Sequence, residues 1–416
     1  MHKNILISGV TSSLNRGVDA LVRTNILLLQ QEFPNSKVYI LSCDEQDKQE
    51  WGDLNAEIIV LPKLPIYIRV LRKLRVHLNS KISNWYRRFF KASFPARIDI
   101  HIITGGDIFS SEYGGFGLWL EIAEQIRYLY NSVTFLSAHS IGRFNSQEHV
   151  DGFARLVAIS DCISVRESST MQYLQETYKN IFCESPTVPY LFTPDPAFIL
   201  KPDSTDLTNM INNKINELKL NNSRGVIAYS VSSGIAKFKG ISEDVVYHKR
   251  LLFIKTLVQL GFGVILLAHV QGNCSATCDD KVCERLLEDL KEYKANIFVV
   301  NQGNAMELKG IIQLSNYLIA ERMHAAIAGL SLGIPTVVVA YSLKAEGILH
   351  DLFPENQDFA KVYYQLNENV FSRLINELFA EEKIEIPSVE APILKEYIAR
   401  IGEGYRVLNK VVKTIQ

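Results

Sequence analysis

Tyr317-Leu318-Ile319-Ala320-Glu321-Arg322-Met323-His324-Ala325-Ala326-Ile327-Ala328-Gly329-Leu330, followed by Gly333-Ile334-Pro335 and Thr336-Val337-Val338-Val339-Ala340, reads as strand, turn, helix, turn and strand. A short apolar run delivers the chain to Arg322 and His324, and a helix opens immediately after. In open sheets of parallel strands, ligands bind in the crevice at the carboxyl ends of the strands. Free backbone N–H groups and the positive end of the helix dipole attract phosphate there. Arg322 adds a planar, bidentate partner for phosphate or carboxylate, and His324 a group that trades protons near neutral pH. The plainer alternative makes Arg322 half of a core ion pair and His324 an ordinary helix-start residue. Strand, Arg-x-His and helix together favour the functional reading.

The same alternation of apolar, β-branched runs with longer amphipathic stretches extends along the chain, the pattern of β–α–β units. Strands are predicted at 4–8, 37–42, 57–61, 98–104, 133–138, 162–165 and near Thr187, with helices such as 19–32, 118–130 and 168–176 between them. A second series follows at 226–230, 264–269, 297–300, 317–320 and 336–340. Two consecutive series of similar size predict an α/β fold of two Rossmann-like domains facing each other across a cleft. The expected organisation is an N-terminal domain over 1–200, a polar linker with a short helix over 201–224, a C-terminal domain over 225–390 and a last helix over 391–416 that packs back on the first domain.

Composition narrows the function classes. At roughly 150 residues per domain, 416 residues give two or three units, each able to bury a full core. A net charge of -1 gives no global basic field for nucleic acid. Cys274, Cys278 and Cys283 cluster behind His269, but their C-x3-C-x4-C spacing matches no familiar zinc pattern, so free thiols and no metal site are expected. The apolar start is far shorter than a signal-peptide core, and no stretch approaches the ~20 apolar residues that span a bilayer, which predicts a cytoplasmic protein. One segment breaks the even charge mix. Residues 58–98 hold no Asp or Glu but many Lys and Arg, interleaved with Tyr67, Trp85, Tyr86, Phe89 and Phe90. That pattern suits peripheral contact with an anionic membrane, or equally an ordinary solvated helix pair.

Further candidates stand at predicted strand ends. The first strand runs through Gly9 to Asn15-Arg16-Gly17-Val18-Asp19, a turn of phosphate- or sugar-binding kind that lacks the GxGxxG spacing of a dinucleotide fingerprint. Gly105-Gly106-Asp107 offers close backbone approach to a ligand and a carboxylate that is either a base, a sugar-hydroxyl acceptor or a turn-stabilising group. Ser164-Val165-Arg166-Glu167 places an Arg for an anion, with a salt bridge as the alternative. Tyr341-Ser342-Leu343-Lys344 puts Lys344 on the same sheet edge as Arg322.

In this order these segments resemble the polysaccharide pyruvyl transferase family. The resemblance runs from Asn15-x-Gly17-x-Asp19-Ala20 to about Phe353, through Gly105-Gly106, Ser164-Val165-Arg166-Glu167 and Asp195-Pro196-Ala197-Phe198. Its most specific block is Arg322-x-His324 through Gly333-x-Pro335 to Tyr341-x-x-Lys344. It implies a glycosyltransferase-B-like architecture and transfer of the pyruvyl group of phosphoenolpyruvate to sugar hydroxyls of a polysaccharide precursor, as a cyclic ketal. It also implies His324 as catalytic acid or acid–base, and Arg322 and Arg166, assisted by Lys344, on the donor's phosphate and carboxylate. Phosphoenolpyruvate is then the co-substrate, with no further cofactor. Asn15, Asp19, Gly105, Gly106, Asp107 and His139 are the expected acceptor-side residues. The sequence departs from the family pattern at Gly105-Gly106-Asp107, where three glycines are common, and at His139-Ser140, where many members place Gln-Ser. Rival readings are a nucleotide-sugar glycosyltransferase, for which Glu346 is the nearest ribose-binding carboxylate, and a non-catalytic scaffold of envelope synthesis.

Overall fold

The computed structural model describes residues 2–63, 79–95, 97–111, 116–183, 188–203, 206–272, 278–340, 343–354 and 356–415. They form two compact units. One comprises Met1–Ser13, Leu21–Pro196 and Ala399–Gln416, the other Leu14–Ala20 with Ala197–Ile398.

The first unit carries strands β1 (Asn4–Ser8), β2 (Lys37–Ser42), β3 (Glu57–Val60), β4 (Ile100–Ile103), β5 (Gly106–Phe109), β6 (Val133–Ile141), β7 (Cys162–Val165) and β8 (Tyr190–Phe192). They pair in parallel in the order β3-β2-β1-β4-β6-β7-β8, with β5 added alongside β6. Strands covered by helices on both faces are buried on both, so they read as continuous apolar runs: Ile5, Leu6 and Ile7 are each fully buried. β6 is distorted where it passes β5. Ala138 takes a φ of 52°, a left-handed conformation costing a residue with a Cβ about 1–2 kcal/mol, and the pairing with β7 shifts between Leu136 and His139. The bulge pushes the carbonyls of Ser137 and Ala138 against Gly105, where a Cβ would meet them at 2.6 and 2.5 Å. Only glycine fits there.

The helix Asn79–Ser93 overturns part of the membrane expectation. Tyr86 and Phe90 stack at 5.9 Å and are fully buried, and Trp85 and Phe89 pack half-buried against the same core. The aromatic face is thus part of the first unit's interior. The remainder of the basic stretch, 64–78 and 96, lies outside the described residues, as does Thr187. No described helix is long and apolar enough to cross a membrane. At the chain's end, the helix Glu403–Ile415 packs on β6 and β7, with the Tyr405 hydroxyl bonded to Ser137 Oγ at 3.0 Å and to Asn25.

The second unit carries β9 (Val226–Val231), β10 (Gly263–Ala268), β11 (Ile297–Val300), β12 (Tyr317–Ala320), β13 (Thr336–Ala340) and β14 (Tyr363–Gln365). Their order, β11-β10-β9-β12-β13-β14, is the doubly wound one, parallel throughout, with its direction of winding reversing between β9 and β12. Residues 201–224, expected as a linker with a short helix, hold the longer helix Asp206–Asn221, which docks on β9 and β10. Ile211, Ile215 and Leu218 form its buried stripe at helical spacing. The expected boundary at 200 also shifts: the units divide at Pro196 and Ala197, and Leu14–Ala20 belongs to the second.

Two histidines buried in the first unit set an acid limit. His101 is bonded through Nε2 to Ser8 Oγ at 2.8 Å, and burial pushes it down to about 3. Burial likewise pushes His139 down to about 4, with the nearby Arg166 charge adding to the effect. Below the unfolded value near 6.5, the unfolded chain binds protons that the folded chain excludes, so stability falls as pH falls. At pH 5 each histidine costs about 2 kcal/mol relative to neutral pH. The thermal midpoint is expected to drop between pH 7 and 5 and to drop less steeply in His101→Asn; parallel pH profiles would reject this.

Candidate active site

At the reversal point of the second sheet, β12 runs into Glu321. This carboxylate is wholly buried and takes Arg250 Nε and Nη2 at 3.0 and 2.7 Å, the Tyr229 hydroxyl at 2.5 Å and the Ser232 N–H at 2.7 Å. So clamped, the turn presents Arg322 as the cap of the helix Met323–Ser331 and His324 in its first turn. Arg322 forms a two-point ion pair with Asp279, Nε to Oδ2 at 3.0 Å and Nη2 to Oδ1 at 2.6 Å. Asp279 is fully buried and also accepts the N–H groups of Ser233 and Val270, each at 2.9 Å, and the Ser233 hydroxyl at 3.1 Å. One carboxylate therefore ties together the ends of β9, β10 and β12. Arg322 keeps 21% of its side-chain surface exposed beyond that pair.

The Asn15–Asp19 turn is built onto the same edge. Asn15 bridges antiparallel to Val270, the Arg16 N–H donates to the His269 carbonyl at 2.9 Å, and the Arg16 guanidinium grips Gln271 Oε1 through Nε and Nη2 at 3.2 and 2.7 Å. Asn15 Oδ1 accepts from the Gly17 N–H at 3.1 Å. Gly17 lies directly against the imidazole: a Cβ there would stand 2.2 Å from His324 Nδ1. Asp19 is fully buried and accepts from the Ala305 N–H at 2.8 Å, at the start of the helix Ala305–Gln313. Asn15 and Asp19 were expected on the acceptor side, in the first domain. They belong to the second unit, where their side chains support the turn. Arg16, Arg322 and His324 all act on His269: burial first, then their charges, hold its imidazole down to about 3. Lys344 stands half-buried in the first turn of the helix Leu343–Leu352; Tyr341 and Ser342 lie outside the described residues.

In the first unit, Asp107 on β5, His139 on β6 and Arg166 just past β7 come together, near enough for the Asp107 charge to act on both the others. Arg166 does not fit a donor-binding role. Its side chain is 2% exposed and engages Asp195 at 2.7 Å, Glu167 at 3.1 Å and Ser140 Oγ at 2.8 Å, which is the salt-bridge alternative. His139 is likewise sealed in, with Nε2 on the Ile103 carbonyl at 3.1 Å, and so does not reach an acceptor. Gly106, at a φ of 128° with open space beside it, and half-buried Asp107 remain accessible.

The family model of polysaccharide pyruvyl transferase matches residues 15–342. The chain belongs to that family. Membership makes it a transferase of polysaccharide modification. A further relative, the amylovoran biosynthesis protein AmsJ of Erwinia amylovora, is 26% identical over 165 residues, 39% of this chain and 37% of that protein, so the match spans little more than a third of the relative. Among solved structures, the UDP-GlcNAc 2-epimerase of Methanocaldococcus jannaschii is similar with a TM-score of 0.57 at 10% identity, over 99% of this chain and 100% of that one. A glycosyltransferase from Rickettsia africae gives 0.55 at 12% identity, over 99% of each chain. At such identities the likeness concerns the fold, which is the glycosyltransferase-B kind with two Rossmann-like units.

Within this pyruvyl transferase family member, the matched range opens at Asn15, the residue whose turn is seated on the second sheet. Asp279, His269 and Arg16 were not singled out by sequence reasoning. Their side-chain partners Gln271, Ser230 and Arg322 lie 39 to 255 residues away, so no local spacing announces them. Gly17 was legible only as part of a motif; its purpose is room for an imidazole.

Proposed function

We propose that this protein transfers the pyruvyl group of phosphoenolpyruvate to a pair of sugar hydroxyls in a surface or exopolysaccharide precursor, forming a cyclic ketal. The observation that carries the reading is Arg322, oriented by Asp279 beside His324 where the second sheet reverses its winding. A guanidinium held by a carboxylate at two points is fixed in direction before a ligand arrives, which lowers the ordering cost of binding. In this reading Arg322 and Lys344 face the donor's phosphate and carboxylate, and the start of the helix Met323–Ser331 adds its dipole. His324 delivers a proton to the methylene carbon, one sugar hydroxyl bonds to C2, and the second displaces inorganic phosphate. Of the two hydroxyl protons, one ends in the new methyl group and the other on phosphate. Gly106 and Asp107 are the acceptor-side candidates that retain access.

The test is thermal stability against phosphoenolpyruvate concentration, with each protein compared to its own ligand-free midpoint. Ligand at about 100 times its Kd adds about 2.7 kcal/mol, a shift of several degrees. Wild type is expected to shift and Arg322→Ala not to. A wild type silent to phosphoenolpyruvate but shifted by a nucleotide-sugar would replace this reading with a glycosyltransferase.

A further inference from the structure

The best-placed group still without a role is His269. β10 lies between β9 and β11 and ends at Ala268, so His269 emerges at the same carboxyl edge as the turn that carries Arg322, with β9 between the two strands. It is 5% exposed. Its Nδ1 is engaged with Ser230 Oγ at 3.1 Å, and its carbonyl accepts the Arg16 N–H at 2.9 Å. That leaves Nε2 as the nitrogen able to meet a ligand, since it has no partner among the described residues. The charged groups around the ring come from three elements. Arg16 opens the helix Arg16–Glu32, Arg322 and His324 begin the helix Met323–Ser331, and Asp279, bound to Arg322, begins the helix Asp279–Asp289.

We infer that His269 is a second donor-contacting imidazole, whose Nε2–H donates to a phosphate or carboxylate oxygen of bound phosphoenolpyruvate while the Ser230 hydroxyl, donating to Nδ1, fixes the tautomer. The inference rests on the donor reading of this site and deepens it. A neutral N–H donor suits the position, because a further full charge among Arg16, Arg322 and His324 is costly, and burial with those neighbours keeps this ring uncharged at working pH. The arrangement follows a general pattern: a buried His is oriented through one nitrogen so that the other meets the substrate.

The experiment measures phosphoenolpyruvate binding by calorimetry in wild type, His269→Ala, His269→Gln and Arg322→Ala, with the Nε2 resonance of His269 followed by nitrogen NMR in wild type. A lost hydrogen bond to a charged ligand weakens binding on the order of 10-fold or more, which is the expectation for His269→Ala. His269→Gln, whose amide N–H occupies the place of Nε2–H, is expected within about threefold of wild type, since that donor is what the site uses. The wild-type resonance is expected to be that of a protonated, neutral-ring nitrogen that moves on addition of phosphoenolpyruvate. Unchanged affinity in His269→Ala alongside lost binding in Arg322→Ala, or an unmoved Nε2 resonance at saturation, would overturn the inference while the donor site stands. No binding by wild type would overturn both.

Discussion

His324→Ala is expected to lower kcat by at least about 10³-fold while phosphoenolpyruvate affinity stays within about threefold of wild type. A positioned general acid contributes roughly 10²–10⁴-fold. The upper part of that range applies here because protonation of a carbon, unlike that of an oxygen, finds no ready substitute in passing water. Affinity survives because the reading assigns the donor's charge to Arg322, which Asp279 holds through two hydrogen bonds that do not involve the imidazole. Removing the ring also leaves the Gly17 backbone, against which it packs, intact. Single-turnover kinetics on enzyme saturated with donor and acceptor separates the two quantities. Near-normal turnover would remove His324 from the chemistry, and loss of affinity with unchanged kcat would make it a binding residue.

Arg166→Ala is expected to act on folding. The substitution leaves Glu167 and Asp195, both fully buried, without the cation that both face. Breaking such a pair from one side costs about 3–5 kcal/mol, because the remaining charge stays desolvated. For a unit of this size that lowers the thermal midpoint by on the order of 10 °C. Had Arg166 served the donor, the same substitution would spare the midpoint and weaken phosphoenolpyruvate binding. Calorimetric scans of the variant, with and without phosphoenolpyruvate, distinguish the cases: an unchanged midpoint with lost affinity would restore Arg166 to the donor site.

The architecture was readable because both sheets are parallel and covered, so their strands stand out as apolar runs between amphipathic stretches. β5 escaped because it begins Gly106-Asp107 and holds its place beside a bulge in β6, and β14 because it is a three-residue edge. The helix Asp206–Asn221 was read only as a short helix in a linker because of its many Asn residues, although three apolar side chains at helical spacing suffice to dock it. In the candidate site, Arg322 and His324 were visible because strand and helix give them a local frame. The partners that orient them were not. Asp279 meets Arg322 from 43 residues away, and Gly17 meets His324 from the other end of the chain. Arg166 shows the converse: a strand-end arginine reads alike whether it faces a ligand or only buried carboxylates, and what separates the two is access, since Arg322 keeps 21% of its side chain exposed beyond the equally buried Asp279 while Arg166 keeps 2%.

The seating of Leu14–Ala20 in the second unit bears on how this protein can be dissected. A fragment cut at the Pro196–Ala197 division would carry Arg322, Asp279 and His324 but would lack the turn that walls the imidazole, the guanidinium that grips Gln271 and the carboxylate that receives the Ala305 N–H. No single cut yields the second unit whole. A circular permutant, or a fragment supplemented in trans with a peptide spanning the Asn15–Asp19 turn, is the smallest piece in which this site is complete.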